Sequence, residues 1–493
     1  MSLGPSRDRD ALWILAFVVA VGAAMRFASL GVQGFHHDEV ITAMRVIPGS
    51  FSDMLRAVRD SESNPPLYYV LAWVWAKAFG TGEFGLRSLS ALFGLATVPV
   101  AYRIGAELSS RRAGLIAAAL VAVNPMLIWY SQEARSYALL VFFCAVSLLF
   151  FVRALRTEDG RDLALWALAS ALALCSHYFA FFLVAIEAAW LLLALRHDWR
   201  AVAPAVVGVG AVGLALVPLI AAQVNPTHIG WIDHSPLSTR FLQTGVSFLA
   251  GETGHVIAEP PRERYALAPA ILVGAGWLLV AVRGTDRERR GALLAATLGA
   301  GVALLVLVAA LVGKDYVVER NLLPALLPLG VAAAIGFGAE RAARLGLVLA
   351  AVLCACWIAL GVRVTETPNL QRPDFRAIVD ELGPPRRPRA IVSWKLAANP
   401  VRFYLHDRSE RIYSGVTPLR EIDVIAKSRV GNAPARLPPG FRAVRRIRFE
   451  RLTSTRYTSR RVREIPYYKL RRIHTGFGED AVVVDGLPSG ARR

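Results

Sequence analysis

The segment 35–40, Phe-His-His-Asp-Glu-Val, places two adjacent carboxylates beside two imidazoles directly after the first apolar run of the chain. Asp38 and Glu39 are carboxylates on neighbouring residues, and carboxylates are among the groups that general acid–base chemistry uses. Neutral imidazole beside a carboxylate suits Mn²⁺ or Zn²⁺, so His37 and Asp38 are candidate ligands of a divalent ion. Histidines that only shape the loop explain the same pattern, and such charges often mark only where a helix leaves the bilayer.

Two arginines at the ends of later apolar runs are candidates for binding an anion. The segment 129–137, Trp-Tyr-Ser-Gln-Glu-Ala-Arg-Ser-Tyr, sets Glu133 and Arg135 two residues apart. An arginine at that depth needs an anionic partner, and Glu133 is available for a purely structural ion pair. Arg320 stands in the segment 316–324 at the mouth of another run, so the two arginines together could clamp a phosphate.

Two further loops carry polar and aromatic residues. The segment 64–69, Asn-Pro-Pro-Leu-Tyr-Tyr, has a double proline that fixes an extended entry into the next helix, and its tyrosines equally fit an ordinary helix start at the membrane interface. The loop 223–264 includes His228, Trp231, Asp233 and His234. It could cover a cavity and contact an acceptor, or it could be a plain connection on the membrane surface.

Composition places these residues in a membrane protein. Of the 493 residues, 55% are hydrophobic and only 19% charged, and repeated apolar runs reach about 16 to 22 residues, the length that crosses a hydrocarbon layer. The four cysteines all lie in or beside these runs, so neither a disulfide framework nor a thiolate zinc site is predicted. The predicted fold class is an α-helical polytopic membrane protein with about 11 to 13 transmembrane helices.

The apolar runs, about twelve, lie near 11–30, 67–80, 86–106, 113–130, 136–152, 163–177, 178–195, 201–222, 265–283, 291–312, 322–338 and 343–362. Arginines near 7–9, 111–112, 153–161, 196–200, 283–290 and 341–344 are assigned to the cytoplasm, because short cytoplasmic loops are enriched in Lys and Arg. The loops with Asp38, Arg135, His177, residues 223–264 and residues 314–321 then share the extracytoplasmic face. Three runs between Glu39 and Arg135 conflict with that assignment unless the short run 67–80 enters and returns, or a neighbouring run is split.

A polar segment of about 130 residues follows the last run. Helical spacing of Phe375, Ile378, Val379 and Leu382, and strand-like runs at 390–394, 442–449 and 481–484, predict a small α/β domain. We therefore divide the chain into a transmembrane domain 1–365, with the candidate catalytic loop 31–66, and an extracytoplasmic domain 366–493.

The C-terminal domain is strongly basic. From residue 371 onward, 27 Lys and Arg stand against 12 Asp and Glu, which is +15 of the chain's net +19. This surface fits an ordinary solvated face, or attraction to anionic membrane lipids or envelope glycans. Nucleic acid is not expected as a partner outside the cytoplasm.

Five segments in order resemble the GT-C glycosyltransferases of the family 39 type: His-Asp-Glu at 37–39, Asn-Pro-Pro-Leu-Tyr-Tyr at 64–69, Glu-Phe-Gly-Leu-Arg-Ser-Leu-Ser-Ala-Leu at 83–92, Tyr-Ser-Gln-Glu-Ala-Arg-Ser-Tyr-Ala at 130–138, and Glu-Arg-Asn-Leu-Leu-Pro at 319–324. That group includes the protein O-mannosyltransferases, the lipid A aminoarabinose transferase and many bacterial relatives. The resemblance covers about residues 10–360. It implies a GT-C fold in the bacterial inner membrane and transfer of a sugar from a polyprenyl phosphate to an acceptor glycan, lipid or protein outside the cytoplasm.

The resemblance also implies roles for matching residues. Asp38 takes the position of the family's essential aspartate, as general base or acceptor-orienting group, and Glu39 that of its second carboxylate. Taken with the residue patterns above, the candidates at the donor phosphate are Arg135, Arg320 and His177, and the candidates at the sugar or acceptor are His37, Asn64, Tyr68, Glu133, Tyr137 and Trp231. Asn64 stands where relatives often carry His or Lys, and Tyr137 where some carry an acidic residue. No cofactor is required, and Mg²⁺, Mn²⁺ or Zn²⁺ is the ion such a site could take.

In the implied mechanism, Asp38 accepts the acceptor's proton, a role typically worth about 10²- to 10⁴-fold in rate. Arg135, Arg320 or a divalent ion stabilises the departing phosphate, and a single displacement inverts the anomeric centre. Two alternatives stay open. One is a transporter or flippase of lipid-linked glycan, which would place ionisable residues in mid-span and often shows matching halves. The other is a non-catalytic subunit that keeps the fold.

Overall fold

The computed structural model describes residues 5–224, 235–252, 263–385, 388–406, 409–427, 437–449, 452–473, 475 and 480–485. The chain forms two compact units. The helical unit comprises Met1–Leu30 and Val46–Glu366, and the sheet unit comprises Gly31–Arg45 and Thr367–Arg493. The predicted boundary near residue 365 agrees with this division. The predicted transmembrane domain includes the loop 31–45. In the structure its contacts group this loop with the sheet unit.

The described residues contain nineteen α-helices: α1 (Pro5–Phe27), α2 (His37–Ile41), α3 (Phe51–Ser61), α4 (Leu67–Phe79), α5 (Glu83–Leu108), α6 (Arg111–Val123), α7 (Pro125–Ser131), α8 (Tyr137–Thr157), α9 (Gly160–Ser176), α10 (Ala180–Ala194), α11 (Trp199–Gln223), α12 (Leu237–Ala250), α13 (Glu263–Arg283), α14 (Asp286–Leu311), α15 (Leu323–Phe337), α16 (Ala343–Glu366), α17 (Phe375–Leu382), α18 (Lys395–Leu405) and α19 (Tyr467–Leu470). The strands are β1 (Arg389–Trp394), β2 (Ser409–Ile412), β3 (Val416–Lys427), β4 (Arg442–Phe449), β5 (Leu452–Pro466) and β6 (Asp480–Asp485).

Every predicted apolar run falls on a helix, and the α-helical polytopic class is confirmed. Within the described ranges, eight helices are long and apolar enough to cross a membrane, and α6 with α7, bent by 56°, forms a ninth if counted as one span. Three runs form shorter helices, α4, α9 and α10, of 13, 17 and 15 residues. The count by length is therefore lower than the number of runs.

The short helix α4 packs along the start of α5. Trp75 Nε1 donates to a carbonyl in the first turn of α5 at 3.1 Å, and Arg87 of α5 donates to the carbonyl of Leu30, just beyond α1, at 2.8 Å. Ser90 Oγ donates to the carbonyl of Arg135 at 3.2 Å. The start of α5, the end of α1 and the loop after α7 therefore lie at one end of the helical unit. This is the arrangement expected if the run 67–80 does not cross the membrane.

Small residues allow a close helix crossing near the other end of α5. A Cβ on Gly105 would lie 2.8 Å from the Cα of Gly114, and one on Gly114 would lie 2.4 Å from the carbonyl oxygen of Tyr102. Because helices in lipid gain little from apolar burial against one another, close backbone approach supplies much of their packing energy. Any larger residue at 105 or 114 would push α5 and α6 apart.

The sheet unit contains a six-stranded sheet in the order β2-β6-β1-β3-β5-β4. β1 and β3 are parallel, and the other neighbouring pairs are antiparallel. The apolar stripe predicted at 375–382 forms α17, whose four stripe residues are buried in one core cluster with Ile391, Ile425 and Val483. The predicted strands at 390–394, 442–449 and 481–484 correspond to β1, β4 and β6. This unit is therefore the small α/β domain expected.

Arginines of the sheet unit divide into buried and exposed groups. Arg389 is fully buried and donates to Asp485 at 2.7 and 3.0 Å, with Asp423 3.5 Å away, so its charge is compensated inside the sheet. The exposed arginines lie on the outer strands, at Arg442, Arg446 and Arg448 of β4 and Arg460, Arg461 and Arg463 of β5. They account for much of the predicted basic surface.

Candidate active site

The acidic loop, defined here as residues 31–45, contains the short helix α2. Glu39 is fully buried, and its Oε2 accepts a hydrogen bond from the backbone N–H of His36 at 2.9 Å. This contact caps α2, so the second carboxylate of the predicted catalytic pair has a local structural role. Asp38 is half-buried, next to it on the same turn. Burial, with the charges of Arg372 and His37, lowers the pKa of His36 to about 4 against the opposing charges of Asp38 and Glu39.

The acidic loop is held by residues more than 330 positions later in the sequence. The backbone N–H of Gly34 donates to Asp374 Oδ1 at 3.2 Å, and that of Phe35 donates to the Tyr404 hydroxyl at 2.5 Å. Arg376 donates to the carbonyls that precede them, at 2.7 and 3.1 Å. The position of Asp38 within its unit is therefore set by the C-terminal residues.

In the helical unit, Arg135 forms a buried two-pronged ion pair with Glu62. Arg135 Nη1 lies 2.9 Å from Glu62 Oε1, and Nη2 lies 2.8 Å from Oε2. The Tyr69 hydroxyl donates to Glu62 at 2.7 Å, the Asn64 side chain hydrogen-bonds to that hydroxyl, and the guanidinium of Arg135 lies 5.8 Å from the centre of the Tyr69 ring. Glu133 was the partner suggested by spacing. The carboxylate of this two-pronged pair is Glu62, which precedes the Asn-Pro-Pro segment. Tyr68 is fully buried beside Tyr69, at 5.4 Å between ring centres.

The break between α6 and α7 explains how the loop that carries Arg135 is fixed. Asn124 caps α7 and Pro125 lacks an N–H, so carbonyls at the end of α6 lose their helical partners. The buried side chain of Arg26 replaces those partners by donating to the carbonyls of Val121 and Ala122 at 3.0 and 2.7 Å. Gln132 then donates to backbone carbonyls at the end of α1. A buried arginine in the membrane is thus satisfied, and the bend is held in place.

His177 is a buried histidine that lies close enough to Arg135 and Arg320, the two predicted phosphate-binding arginines, for both charges to act on its ring. Burial, followed by the charges of Arg320 and Arg135, lowers the pKa of His177 from 6.5 to about 3. Its Nδ1 accepts a hydrogen bond from the backbone N–H of Phe179 at 3.3 Å, and its ring lies 5.6 Å from that of Tyr137. The imidazole is therefore neutral at pH 7. It can offer an Nε2–H donor but no positive charge.

Several carboxylates lie around the hydroxyl of Tyr130. The Tyr130 hydroxyl donates to Glu252 at 3.4 Å, and its ring lies 4.7 Å from that of Tyr137. The negative charges of Glu252, Glu319 and Glu133 lie close enough to interact with this hydroxyl, and the positive charge of Arg320 interacts with it in the opposite sense. All three glutamates are buried. We call the group Glu62, Glu133, Arg135, His177, Glu252, Glu319 and Arg320 the polar cluster.

The loop before Arg320 is fixed by a second two-pronged pair. Arg240 of α12 donates to Asp315 Oδ1 at 2.8 Å, pairs with Oδ2, and donates to the carbonyl of Val317 at 3.0 Å. The hydrogen bond from Arg240 keeps the pKa of Asp315 below its ordinary value. Tyr316 packs on Phe179 at 5.7 Å between ring centres. Contacts of this kind join the loops 177–179 and 315–322.

A buried amide links two more of the predicted loops. Gln223, at the end of α11, donates to the carbonyl of Asn64 at 3.1 Å and accepts from the Tyr178 hydroxyl at 2.7 Å. The loops that contain Asn64, Arg135, His177, Gln223 and Arg320 therefore meet at one end of the helical unit, as the orientation argument requires.

The predicted metal and acceptor contacts stay predictions. Among the described residues, no three His, Cys, Asp or Glu side chains come together as ion ligands. His37 and Asp38 are sequence neighbours and would supply at most two protein ligands. Trp231 and the polar residues around it lie outside the described residues.

Several residues of this site escaped the sequence argument. Glu62 had a usable signal, because it lies two residues before the Asn-Pro-Pro segment. Glu252 and Glu319 each stand at the end of a helix, as Arg320 does. Glu187 had no signal other than being an ionisable residue within an apolar run. It is buried in α10, and its Oε2 accepts hydrogen bonds from Ser147 and from Trp166 Nε1, the latter at 2.9 Å.

Residues 63–221 match the sequence model of the family described as dolichyl-phosphate-mannose-protein mannosyltransferase. The match covers about a third of the chain and includes Asn64, Tyr68, Glu133, Arg135 and His177. It confirms the resemblance drawn from the motifs. A search among curated proteins finds no match to the chain.

Three solved structures with similar coordinates are distant from this chain in sequence. ArnT from Cupriavidus metallidurans bound to undecaprenyl phosphate is 15% identical, with a TM-score of 0.49, over 74% of this chain and 69% of that one. AglB from Archaeoglobus fulgidus, in complex with an inhibitory peptide and a dolichol-phosphate, is 14% identical, with a TM-score of 0.46, over 76% and 58%. The Pmt1-Pmt2 complex of S. cerevisiae bound to the sugar donor is 20% identical, with a TM-score of 0.33, over 43% and 32%.

Proposed function

We propose that this chain, which carries a glycosyltransferase family sequence at 63–221, transfers a sugar from a polyprenyl phosphate to an acceptor hydroxyl on the extracytoplasmic face of a bacterial inner membrane. The observation that carries the proposal is the convergence of Arg135, Arg320 and His177, from three separate loops, at one end of a membrane-embedded helical bundle. A lipid-linked phosphate needs positive charge at the depth of its headgroup. This arrangement supplies it.

Arg135 and Arg320 would stabilise the departing phosphate. The guanidinium of Arg135 already has one carboxylate partner in Glu62, so its orientation is set before a ligand arrives and little reorganisation is needed. Neutral His177 would add a hydrogen bond from Nε2–H. The four buried glutamates of the polar cluster outnumber its two arginines, so carboxylates compensate both guanidinium charges and lower the cost of holding two cations in a buried place.

Asp38 would accept the proton of the attacking hydroxyl. In that single step the acceptor oxygen bonds to the anomeric carbon, the bond from that carbon to the phosphate oxygen breaks, and polyprenyl phosphate leaves with the electron pair. The configuration at the anomeric carbon inverts. Glu39, which caps α2, would act by holding Asp38 in its turn rather than by touching substrate.

An apolar groove beside α10 supports a lipid donor. Ala185, Ala189, Trp190 and Leu193 of α10 line it together with Leu305 of α14, and it encloses about 630 Å³. Because α10 starts three residues after His177 and rises about 1.5 Å per residue, the groove begins roughly two turns from the polar cluster. A polyprenyl tail in this groove would leave its phosphate at the cluster.

The test is donor turnover by the purified full chain in nanodiscs, with a native membrane extract as acceptor. The donors are radiolabelled undecaprenyl-phosphate-linked mannose, glucose and arabinose, and the readouts are label transfer, release of undecaprenyl phosphate and the anomeric configuration of the product. We expect transfer from at least one donor with inversion. Retention would contradict the single displacement, and transfer from no donor would contradict the proposal.

A transporter of lipid-linked glycan is the rival function, and it is favoured by one observation, the mid-helix carboxyl of Glu187. Proteoliposomes that contain the chain and a labelled lipid-linked sugar separate the two functions. Movement of intact lipid-linked sugar between leaflets without transfer would support transport. Release of free polyprenyl phosphate supports the transferase.

A further inference from the structure

We infer that Tyr404, Asp374 and Arg376 are positioning residues that hold the acidic loop where Asp38 can act. The inference rests on the proposed function, because it assigns Asp38 to the reaction. It adds a role for the C-terminal domain, which would contribute to catalysis without contacting the substrate. The composition of that domain suggested only a basic surface.

The beginning of the acidic loop is held residue by residue. Arg376 donates to the carbonyls of Gly31 and Val32, at 3.1 and 2.7 Å. Gln33 Nε2 donates to the carbonyl of Arg372 at 3.2 Å. The next two residues donate their N–H groups to Asp374 and Tyr404. Five successive residues are therefore anchored, a density of contacts that an incidental neighbour would not supply.

The side chain of Asp374 accepts two hydrogen bonds, one from its own helix and one from the acidic loop. Its Oδ1 accepts the N–H of Ala377 at 3.1 Å, which caps α17, and also accepts the N–H of Gly34. A Cβ on residue 34 would lie 2.8 Å from that same Oδ1 and 3.0 Å from the Cβ of Arg376. The loop can approach the start of α17 this closely only with glycine at position 34. Both the close packing and the hydrogen bond to Asp374 therefore hold Gly34 against the start of α17.

The anchor is close enough to Asp38 to control it. The ring of Phe35 packs on Phe403 at 5.7 Å between centres, and α2 begins two residues later with the capping contact from His36 to Glu39. Asp38 lies three positions after Phe35, a reach of about 10 Å at full extension. A loosened anchor would let the carboxylate move by an ångström or more, and misplacement of that size can cost about 10²-fold in rate.

Tyr404→Phe and Gly34→Ala test the anchor with small changes. Tyr404→Phe removes one hydroxyl and leaves the ring, and Gly34→Ala adds one methyl group where the structure has no room. Both should lower kcat by roughly 10- to 100-fold with little change in KM for the lipid-linked donor. Tyr413→Phe, at an exposed tyrosine of the same domain, and Gly82→Ala, at a glycine with open space around it, are the matched controls.

Coupling to Asp38 separates positioning from general damage. A positioning residue acts only through the group it positions, so Tyr404→Phe should have no further effect on the residual rate of Asp38→Asn. An equal loss in both backgrounds would overturn the inference. Hydrogen exchange of the peptide 31–45 gives a second readout that needs no activity. Faster exchange in Tyr404→Phe and Gly34→Ala supports the anchor, and unchanged exchange in both contradicts it.

These readouts also separate this inference from the proposed function. If Asp38→Asn keeps full turnover, the proposed base is wrong while the exchange result still decides whether the anchor exists. If Asp38→Asn loses turnover but Tyr404→Phe and Gly34→Ala keep it, the base stands and the positioning role is refuted.

Discussion

The ion pair between Glu62 and Arg135 offers a way to separate support from catalysis. Its side chains are 2% and 8% exposed, and two nitrogen–oxygen contacts of 2.9 and 2.8 Å join them. Arg135→Met would leave the Glu62 carboxylate buried, with the Tyr69 hydroxyl as its remaining close donor. Loss of one partner from such a pair typically costs about 3 to 5 kcal/mol of folding free energy.

The double variant Glu62→Gln with Arg135→Met should recover most of that loss. It removes both charges of the pair, and the Gln side-chain oxygen can still accept the Tyr69 hydrogen bond, so neither partner is left as a buried charge that has lost its counterpart. Turnover should not recover, because the cation at the departing phosphate is still missing, and loss of one such donor typically lowers kcat about 10²- to 10³-fold. In the double variant we therefore expect the folding free energy to recover and the turnover to stay low.

The assay combines equilibrium unfolding in mixed detergent micelles with donor turnover for the two single variants, the double variant and wild type. Arg56→Met is the matched control, because Arg56 pairs with Asp53 at 3.2 Å on the surface and should change neither readout measurably. A double variant that regains turnover together with stability would refute the reasoning, since Arg135 would then be only a structural partner of Glu62.

Three further predictions follow from buried groups. Glu187→Gln keeps the shape and hydrogen-bonding oxygen of the side chain, so transfer activity should stay within about threefold of wild type; abolished transfer would show instead that the reaction needs the ionisable carboxyl of Glu187. The pKa of His177 is lowered to about 3 from 6.5, so the unfolded state binds more protons in that window; stability should fall by up to about 5 kcal/mol as the pH drops from 6.5 toward 3, less steeply in His177→Gln. Arg240→Met should destabilise the loop of Asp315 and lower turnover through Arg320, as hydrogen exchange of residues 314–322 and kinetics would reveal.

Much of the helical architecture could be predicted from the sequence, because the length of an apolar run is set by the bilayer. Every run lies on helical residues. Of the two alternatives for the conflict, a returning run 67–80 or a split neighbouring run, the structure has features of both: α4 has only 13 residues and packs along the start of α5, and the run 113–130 is broken into α6 and α7. Basic loops gave an orientation under which the loops with Arg135, His177 and Arg320 should meet, and in the helical unit they do. The apolar stripe 375–382 and three strands were likewise readable from their periods.

Pairings across the chain could not be predicted from spacing. Glu62 contacts Arg135 over 73 positions, whereas spacing pointed to the nearby Glu133. The acidic loop is bound by residues about 340 positions away, so its membership of the sheet unit depends on tertiary contacts that leave no local pattern. The neutrality of His177 is a property of its surroundings, since burial and two arginines set its pKa. The capping role of Glu39 is local, and the spacing from His36 could have revealed it.

The most direct measurement is donor turnover by Asp38→Asn, with binding of undecaprenyl phosphate measured on the same preparation and Asp380→Asn, at an exposed aspartate of α17, as the control. The amide keeps the size of the side chain and cannot accept the proton. We predict a loss of turnover of at least about 10²-fold with unchanged lipid binding and an unaffected control. Full turnover by Asp38→Asn would contradict the assignment of the acidic loop as the source of the catalytic base.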